Sequence, residues 1–514
     1  MVRLAQGFAT DMNKIGFDSE KWLREQKQYI LERVNASDGR LYIEVGGKLL
    51  HDRHAARVLP GYDENNKMKI FESLKDHLDI IICIYAGDIE QRKMRGDFGI
   101  SYDADVIKMI HDFAEYGITC NKVLITRYEN QIAANQFKRK LEQRGIKVWT
   151  HTATPGYPGD IDVVVSDEGY GKNPYIPVDA PVVIVAAPGP GSGKLATCLS
   201  QMYHESKMGI TSNYAKFETF PIWNLPLNHP VNLAYEAATL DIGDSNLIDH
   251  FHLEAYGQVT TNYTRDLEAY PLLKRILEKL TGKPCAYKSP TDMGVNRCGF
   301  GIFDDEVCRK AANQEIIRRV FHTKVDYLQG VCSKDVYNRA LALLDKAGLE
   351  ETDRKTVIPA RKALEEAIAL KKGKTDGIAC TAAMELEDGR IITAHNSDLM
   401  HAGAALVLNA VKALLHIDQS KEIIHKEIIE SITVLKRDIL SSKGVSLNVD
   451  EILIALSMSS NYNEMNKAAC QALKRLNGCD VHFSHIPSAG DIDGLRKLGI
   501  NYTSEPQYPG RNIE

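Results

Sequence analysis

The chain has 514 residues, 44% of them apolar and 25% charged, with a formal net charge of −5. Such length and balance suit about three domains, each able to bury a core, and give no electrostatic footing for nucleic acid. The ten cysteines include no C-x-x-C pair, which argues against a zinc ribbon or a redox dithiol and points to free thiols in a reducing compartment. Residues 1–18 have no apolar core of signal-peptide length and no stretch approaches a membrane span, so a cytoplasmic protein without a membrane partner is expected.

In chain order, apolar and charged residues at helical spacing predict a helix over 18–34, Ser37-Asp38-Gly39 a turn, and 41–45 a strand ended by Gly46-Gly47, which with Lys48 resembles a phosphate turn but reads more simply as a hairpin. The isoleucine-rich run 79–85 is the next strand. Arg92, Lys93 and Arg95 follow it within 88–97, where an open α/β sheet binds ligands, so they are candidate contacts for an anion. A helix over 104–116, a strand over 122–126, a helix over 129–144 and strands over 146–149 and 162–165 continue the alternation. That pattern predicts a mostly parallel sheet covered on both faces.

The strongest local signal is P-V-V-I-V-A-A-P-G-P-G-S-G-K, residues 181–194. Five apolar residues run into a turn containing Gly189, Gly191, Ser192 and Gly193, and Lys194 opens a helix over 194–208. Glycines let backbone N–H groups converge on one hollow, and a helix N-terminus adds its own unpaired N–H groups, which together make an anion site. Lys194 would bring a cation to the outer phosphates of a nucleotide. The match to a P-loop is incomplete, since Pro188 stands where the first glycine belongs and Leu195 replaces the Mg²⁺-binding Ser or Thr. Thr197 points elsewhere.

Three prolines interrupt 220–230, leaving a loop in which Trp223 and His229 either wall a pocket or pack inward. Helices are expected over 231–240 and 264–280. Between them Asp241, Asp244, Asp249, His250, His252 and Glu254 crowd together, and Asp241 and Asp244 are the metal candidates, because Mg²⁺ beside phosphate needs few protein oxygens. Lys288, Asp292 and Arg297 lie in a glycine-containing loop suited to a polar second substrate. Helices follow over 307–327, 333–344 and 356–371, then a hairpin of 379–386 and 390–394 around Glu387-Asp388-Gly389, and a buried Ala- and Leu-rich helix over 397–415. Strand 452–456, helix 464–476, strand 480–485 and helix 492–498 predict a small C-terminal α/β lobe, with Ser457, Ser459, Ser460, His482 and His485 edging a polar crevice.

The segments A-A-P-G-P-G-S-G-K-L-A-T-C, L-N-H-P-V-N-L-A-Y-E-A-A-T, D-H-F-H-L-E-A-Y-G and Y-K-S-P-T-D-M-G-V-N together resemble a bacterial family known as a domain of unknown function, number eighteen forty-six, along the whole chain. The resemblance implies a multi-domain α/β protein with a loop similar to a P-loop.

The expected architecture is therefore a Rossmann-like α/β domain carrying the glycine turn over 1–325, a helical block with a hairpin over 326–430, and an α/β lobe over 431–514. The expected function is a cytoplasmic enzyme using ATP with Mg²⁺ in phosphoryl transfer or ATP-driven condensation. Lys194, Lys288, Asp292 and Arg297 would act catalytically, Gly189, Gly191, Ser192, Gly193 and Lys194 would hold the nucleotide, and the partner would be a phosphorylated small molecule. Two alternatives stand beside it: a regulatory protein that binds a phosphorylated metabolite without turnover, and a non-ATP isomerase or lyase acting on a sugar phosphate. Homo-oligomerisation is expected as for many helix-rich enzymes.

Overall fold

A computed structural model describes residues 14–36, 39–95, 99–442 and 444–511. Ser37, Asp38 and Asp97, named above in a turn and a cationic segment, lie outside them, as do residues 1–13 of the N-terminal segment. The chain divides into two compact units, one of residues 16–236 with 243–309, the other containing 237–242 and everything from 310 onward. Among the described residues no helix is long and apolar enough to cross a membrane.

The first unit is built on six parallel strands: Arg40–Val45 (β1), Leu78–Tyr85 (β2), Lys122–Thr126 (β3), Lys147–Thr150 (β4), Val182–Ala186 (β5) and Ser212–Phe217 (β6). Their spatial order is β4-β3-β2-β5-β1-β6. Both faces are covered, as near-continuous apolar strands require. Val183 and Val185 of β5 join Cys83, Cys198, Leu199 and Met202 in one core, while Ile80, Ile82 and Ile84, at alternate positions of β2, are also buried.

The chain moves outward from β2 through β3 to β4, then returns to lay β5 on the other side of β2. That reversal makes the carboxyl ends of β2 and β5 a switch point, where helices on opposite faces leave a crevice. At the opposite, amino edge, the start of β5 is pinned by Asp79 of β2, whose carboxylate pairs with Lys122 and accepts from the backbone N–H groups of Asp179, at 2.7 Å, and Ala180, at 3.1 Å.

Three features of this sheet differ from expectation, the first being the unforeseen edge strand β6. The strand expected over 162–165 is absent: 162–164 belong to a short helix, Ile161–Val164, whose first N–H groups, those of Asp162 and Val163, are capped by the Asp160 carboxylate. Gly46-Gly47 makes no hairpin: β1 pairs in parallel with β5 and β6, so these glycines leave the sheet at its carboxyl edge.

The second unit carries a four-stranded sheet of Thr381–Glu385 (β7), Ile391–His395 (β8), Asp480–Phe483 (β9) and Asn501–Ser504 (β10), in the order β8-β7-β9-β10. The hairpin β7–β8 is antiparallel as the Asp388-Gly389 turn predicts. Helix Ala402–Leu414 packs across this sheet in a core that runs from Cys380 to Ile500 in sequence. Residues 452–456 are helical, not a strand, within Val449–Ser459. The polar crevice expected there between two strand ends does not form, and Ser459 instead accepts from the His425 backbone N–H at 3.0 Å.

A reciprocal cap sets that helix. Asn448 Oδ1 accepts from Glu451 N at 3.0 Å and Glu451 Oε2 accepts from Asn448 N at 2.9 Å. Asn448→Ala is expected to cost about 1 kcal/mol, read as a lower denaturation midpoint of the C-terminal unit in the full chain; an unchanged midpoint would mean that the cap adds nothing.

Candidate functional site

Residues 187–193 leave β5 at the switch point and arch over the end of β2 to reach β3. Gly191, at φ +73°, and Gly193, at φ +89°, take the left-handed conformation that residues with a Cβ avoid. Close packing adds to this requirement. A Cβ on Gly193 would lie 2.9 Å from Thr126 Cγ2, and one on Gly189 would lie 2.3 Å from the Tyr102 hydroxyl.

The turn is held by its carbonyls. Ser192 O accepts from Thr126 Oγ1 at 2.8 Å and Gly191 O from Arg127 Nη2 at 2.6 Å. Gly189 O accepts from Ser192 Oγ at 2.9 Å and Gly193 O from Thr197 Oγ1 at 2.8 Å. Among the described residues, the N–H groups of Gly189, Gly191 and Gly193 donate to no protein acceptor. With four of its carbonyls held and N–H groups beside them unspent, the turn favours a group that accepts hydrogen bonds, as an anion does.

Arg127 is itself strained and stacked. Its φ is +48°, and its guanidinium lies 3.4 Å from the ring centroid of Tyr85, the last residue of β2. Lys194 begins helix Lys194–Lys207 with no carboxylate partner among the described residues. Its charge is felt by the buried thiols of Cys83 and Cys198: burial pushes Cys83 up to about 12 and Cys198 well up, and Lys194 opposes both shifts. A cation at a helix N-terminus opposes the helix dipole, so this position calls for a compensating negative charge. Thr197 is 1% exposed and contacts Cys83 Sγ at 3.3 Å, so its hydroxyl faces into the protein.

The helix behind the turn is anchored at its other end. Glu205, fully buried, accepts from Tyr42 Oη at 2.8 Å and Tyr175 Oη at 3.0 Å and pairs with Arg40. These partners offset part of the cost of enclosing the carboxylate, whose Oε2 has no hydrogen-bond partner among the described residues.

A narrow cleft of about 20 Å³ adjoins the turn, bounded by Ala187 after β5, Gly47 after β1 and Arg95. Of the three cations expected here, Arg95 pairs with Asp105 at 2.6 Å. Lys93 lies 3.5 Å from Asp88 and 5.1 Å from the ring centroid of Tyr102, which packs against Gly189. Arg92 is exposed.

The other candidates are used elsewhere. Asp244 is buried and lies 3.3 Å from Arg265, whereas Asp241 is exposed and belongs to the second compact unit. Among the described residues no group of three or more His, Cys, Asp or Glu is placed to hold a metal ion. Asp292 Oδ2 accepts from Lys288 N at 2.9 Å and Tyr256 Oη at 2.8 Å, and the Lys288 ammonium lies 5.4 Å from the Tyr256 ring centroid. Arg297 stacks on Tyr29 at 3.8 Å, and its N–H donates to Gln26 at 2.9 Å. Lys288 and Asp292 thus meet each other, and none of these contacts reaches the glycine turn. His229 is buried with Nε2 2.8 Å from Asp305, and Trp223 donates to Asn296 O at 2.9 Å.

Thr126, Arg127, Tyr85 and Tyr102 escaped the sequence reading. The available signal was that Thr126 and Arg127 end an apolar strand. A second unforeseen cluster lies at the ends of β1 and β6. There buried Lys67 donates to Gly46 O at 2.9 Å, and burial lowers its pKa. Burial would lower Lys216 too, but Asp266, at 2.6 Å, and Glu218, at 3.1 Å, hold it above the usual lysine value.

Two family models span this chain: "Domain of unknown function DUF1846, N-terminal" over residues 15–348, and "Domain of unknown function DUF1846, C-terminal" over 352–513. A "UPF0371 protein" of Clostridium tetani (strain Massachusetts / E88) is 54% identical over 501 residues, covering 97% of this chain and 99% of its own length. One of Clostridium botulinum (strain Alaska E43 / Type E3) is 52% identical over the same shares.

The two left-handed glycines separate backbone strain from packing. Gly191→Ala meets nothing within 4 Å and is expected to cost about 1 kcal/mol. Gly193→Ala also forces Thr126 aside and is expected to cost about 2 kcal/mol or more. Equal denaturation midpoints for the two variants would show that contact with Thr126 does not shape the turn.

Proposed function

This chain belongs to the DUF1846 family, and for it we propose that the glycine turn binds the phosphate group of a phosphorylated small molecule. The observation carrying this reading is the one-sided hydrogen bonding of the turn: four carbonyls held by side chains, with the N–H groups beside them unspent. Lys194 supports it, since an anion there would relieve a cation set against its helix dipole.

The surroundings favour phosphate held without a metal. Leu195 offers no oxygen, Thr197 faces inward, and Asp244 is paired with Arg265. This ranks a metal-independent phosphorylated ligand, bound or transformed, ahead of ATP with Mg²⁺. Chemistry on such a ligand would draw on Lys194 to neutralise charge that develops on the phosphate oxygens.

Thermal denaturation of the wild type and Lys194→Ala tests the reading, with inorganic phosphate, ATP, ADP, GTP and sugar phosphates each supplied with and without Mg²⁺. A ligand at about 100 times its Kd should stabilise the wild type by roughly 2.7 kcal/mol. The expected result is stabilisation without Mg²⁺ that Lys194→Ala abolishes. Stabilisation only by ATP with Mg²⁺ would restore phosphoryl transfer as the leading reading, and no response to any phosphorylated compound would end the proposal.

A further inference from the structure

Two cations border the glycine turn without a carboxylate partner among the described residues. Lys194 follows Gly193 directly, and Arg127 donates from Nη2 to Gly191 O at 2.6 Å. The acids that follow β2 are engaged elsewhere. Asp88 lies 3.5 Å from Lys93, and Glu90 Oε1 accepts from the N–H groups of Ala133, at 2.6 Å, and Ala134, at 3.1 Å, in the first turn of helix Ile132–Glu142. Glu129, two residues beyond Arg127, forms no ion pair among the described residues.

Arg127 is fixed by more than its bond to Gly191. Its guanidinium lies 3.4 Å from the Tyr85 ring centroid, and Gly87 leaves room for that ring, since a Cβ there would come within 2.5 Å of Tyr85 Cζ. A guanidinium stacked on a ring and tied at one nitrogen keeps its plane, with most of its N–H donors still available. Such a fork takes two oxygens of one phosphate. Pro190, Gly191 and Arg127 are exposed, so an anion meets the fork from solvent and has no need of the narrow cleft beside Gly47.

A phosphate on a single ester bond carries nearly two negative charges above its second ionisation, at about pH 6, and presents three acceptor oxygens. A phosphate between two ester bonds carries one charge and keeps fewer such oxygens. The first matches two cations and a row of N–H groups; the second leaves one cation uncompensated. We infer that Arg127 and Lys194 select the dianion of a phosphomonoester at the turn, with Arg127 the residue that distinguishes it from a phosphodiester. This inference rests on the phosphate-binding reading of the turn and narrows its ligand from phosphorylated compounds in general to those whose phosphate is terminal.

Calorimetric titration of the full chain with methyl phosphate, dimethyl phosphate and sulfate, at about pH 5 and about pH 8, tests it, since the monoester passes from monoanion to dianion over that range. Near the turn, burial pushes Tyr102 up and lowers His151, whose carbonyl accepts from Tyr128 N, to about 4. Sulfate, a dianion throughout, reports whatever else on the protein titrates. At the higher pH methyl phosphate should bind ten-fold or more tightly than dimethyl phosphate, and about ten-fold more tightly than at the lower pH, while sulfate changes little. Arg127→Gln, at an exposed position, should remove most of the preference for the monoester. Arg127→Lys should restore only part of it, because an ammonium keeps the charge without the fork or the stack. A residue that merely props the turn would, when replaced, weaken both esters in proportion, and an unchanged ratio in Arg127→Gln would overturn its selecting role. Equal affinity of the wild type for the two esters, or a pH response that sulfate shares, would overturn the inference and leave the phosphate turn standing. Failure of all three anions to bind would remove the turn's role and the inference with it.

Discussion

The hydrogen bonds from Thr126 and Arg127 to the carbonyls of Ser192 and Gly191 set the shape of the glycine turn on which the first unit's candidate site depends. A polypeptide turn ordinarily presents donors and acceptors together and so has no preference for charge. Here two residues ending β3 reach across β2 and occupy the acceptors. Gly191 and Gly193 follow as geometric requirements, and Gly193 is further needed because the turn must close on Thr126. The contacts of Glu205 with Tyr42 and Arg40 tie helix Lys194–Lys207 to the sheet.

Two enclosed lysines of this unit contrast with Lys194. Lys67 is enclosed yet has Gly46 O as its acceptor, and Lys216 has Asp266 and Glu218. Each cation has its compensation inside the protein, as low-dielectric surroundings demand. Lys194 has none among the described residues and sits where the helix dipole works against it.

Much of the sheet could be read from sequence because parallel strands buried on both faces are runs of Val and Ile, as in 79–85 and 182–186. The edge strand β6 was missed for the converse reason: Asn213 and Lys216 interrupt its apolar character, as an edge position permits. Residues 452–456 failed differently. A short apolar run does not distinguish strand from helix, and the deciding information was the cap at Asn448 and Glu451 just before it. At the site, the glycines announced the turn, but Thr126 and Arg127 lie far from it in sequence and become neighbours only through the strand order. Nearness in sequence misled in the opposite direction for Asp241 and Asp244, since the chain passes from one compact unit to the other between them.

The position of β1 bears on how the chain acquires this sheet. Leu41, synthesised early, has Val182 on one side and Asn213 on the other as its register partners. Both edges of that strand therefore stay open until the ribosome has delivered most of the unit, and the loop to be closed is long. An apolar strand with two unpaired edges is a template for wrong partners. Synthesis rate and chaperone occupancy thus bear directly on the yield of native molecules, and truncation before residue 217 would leave a central strand, rather than a peripheral one, without its neighbour.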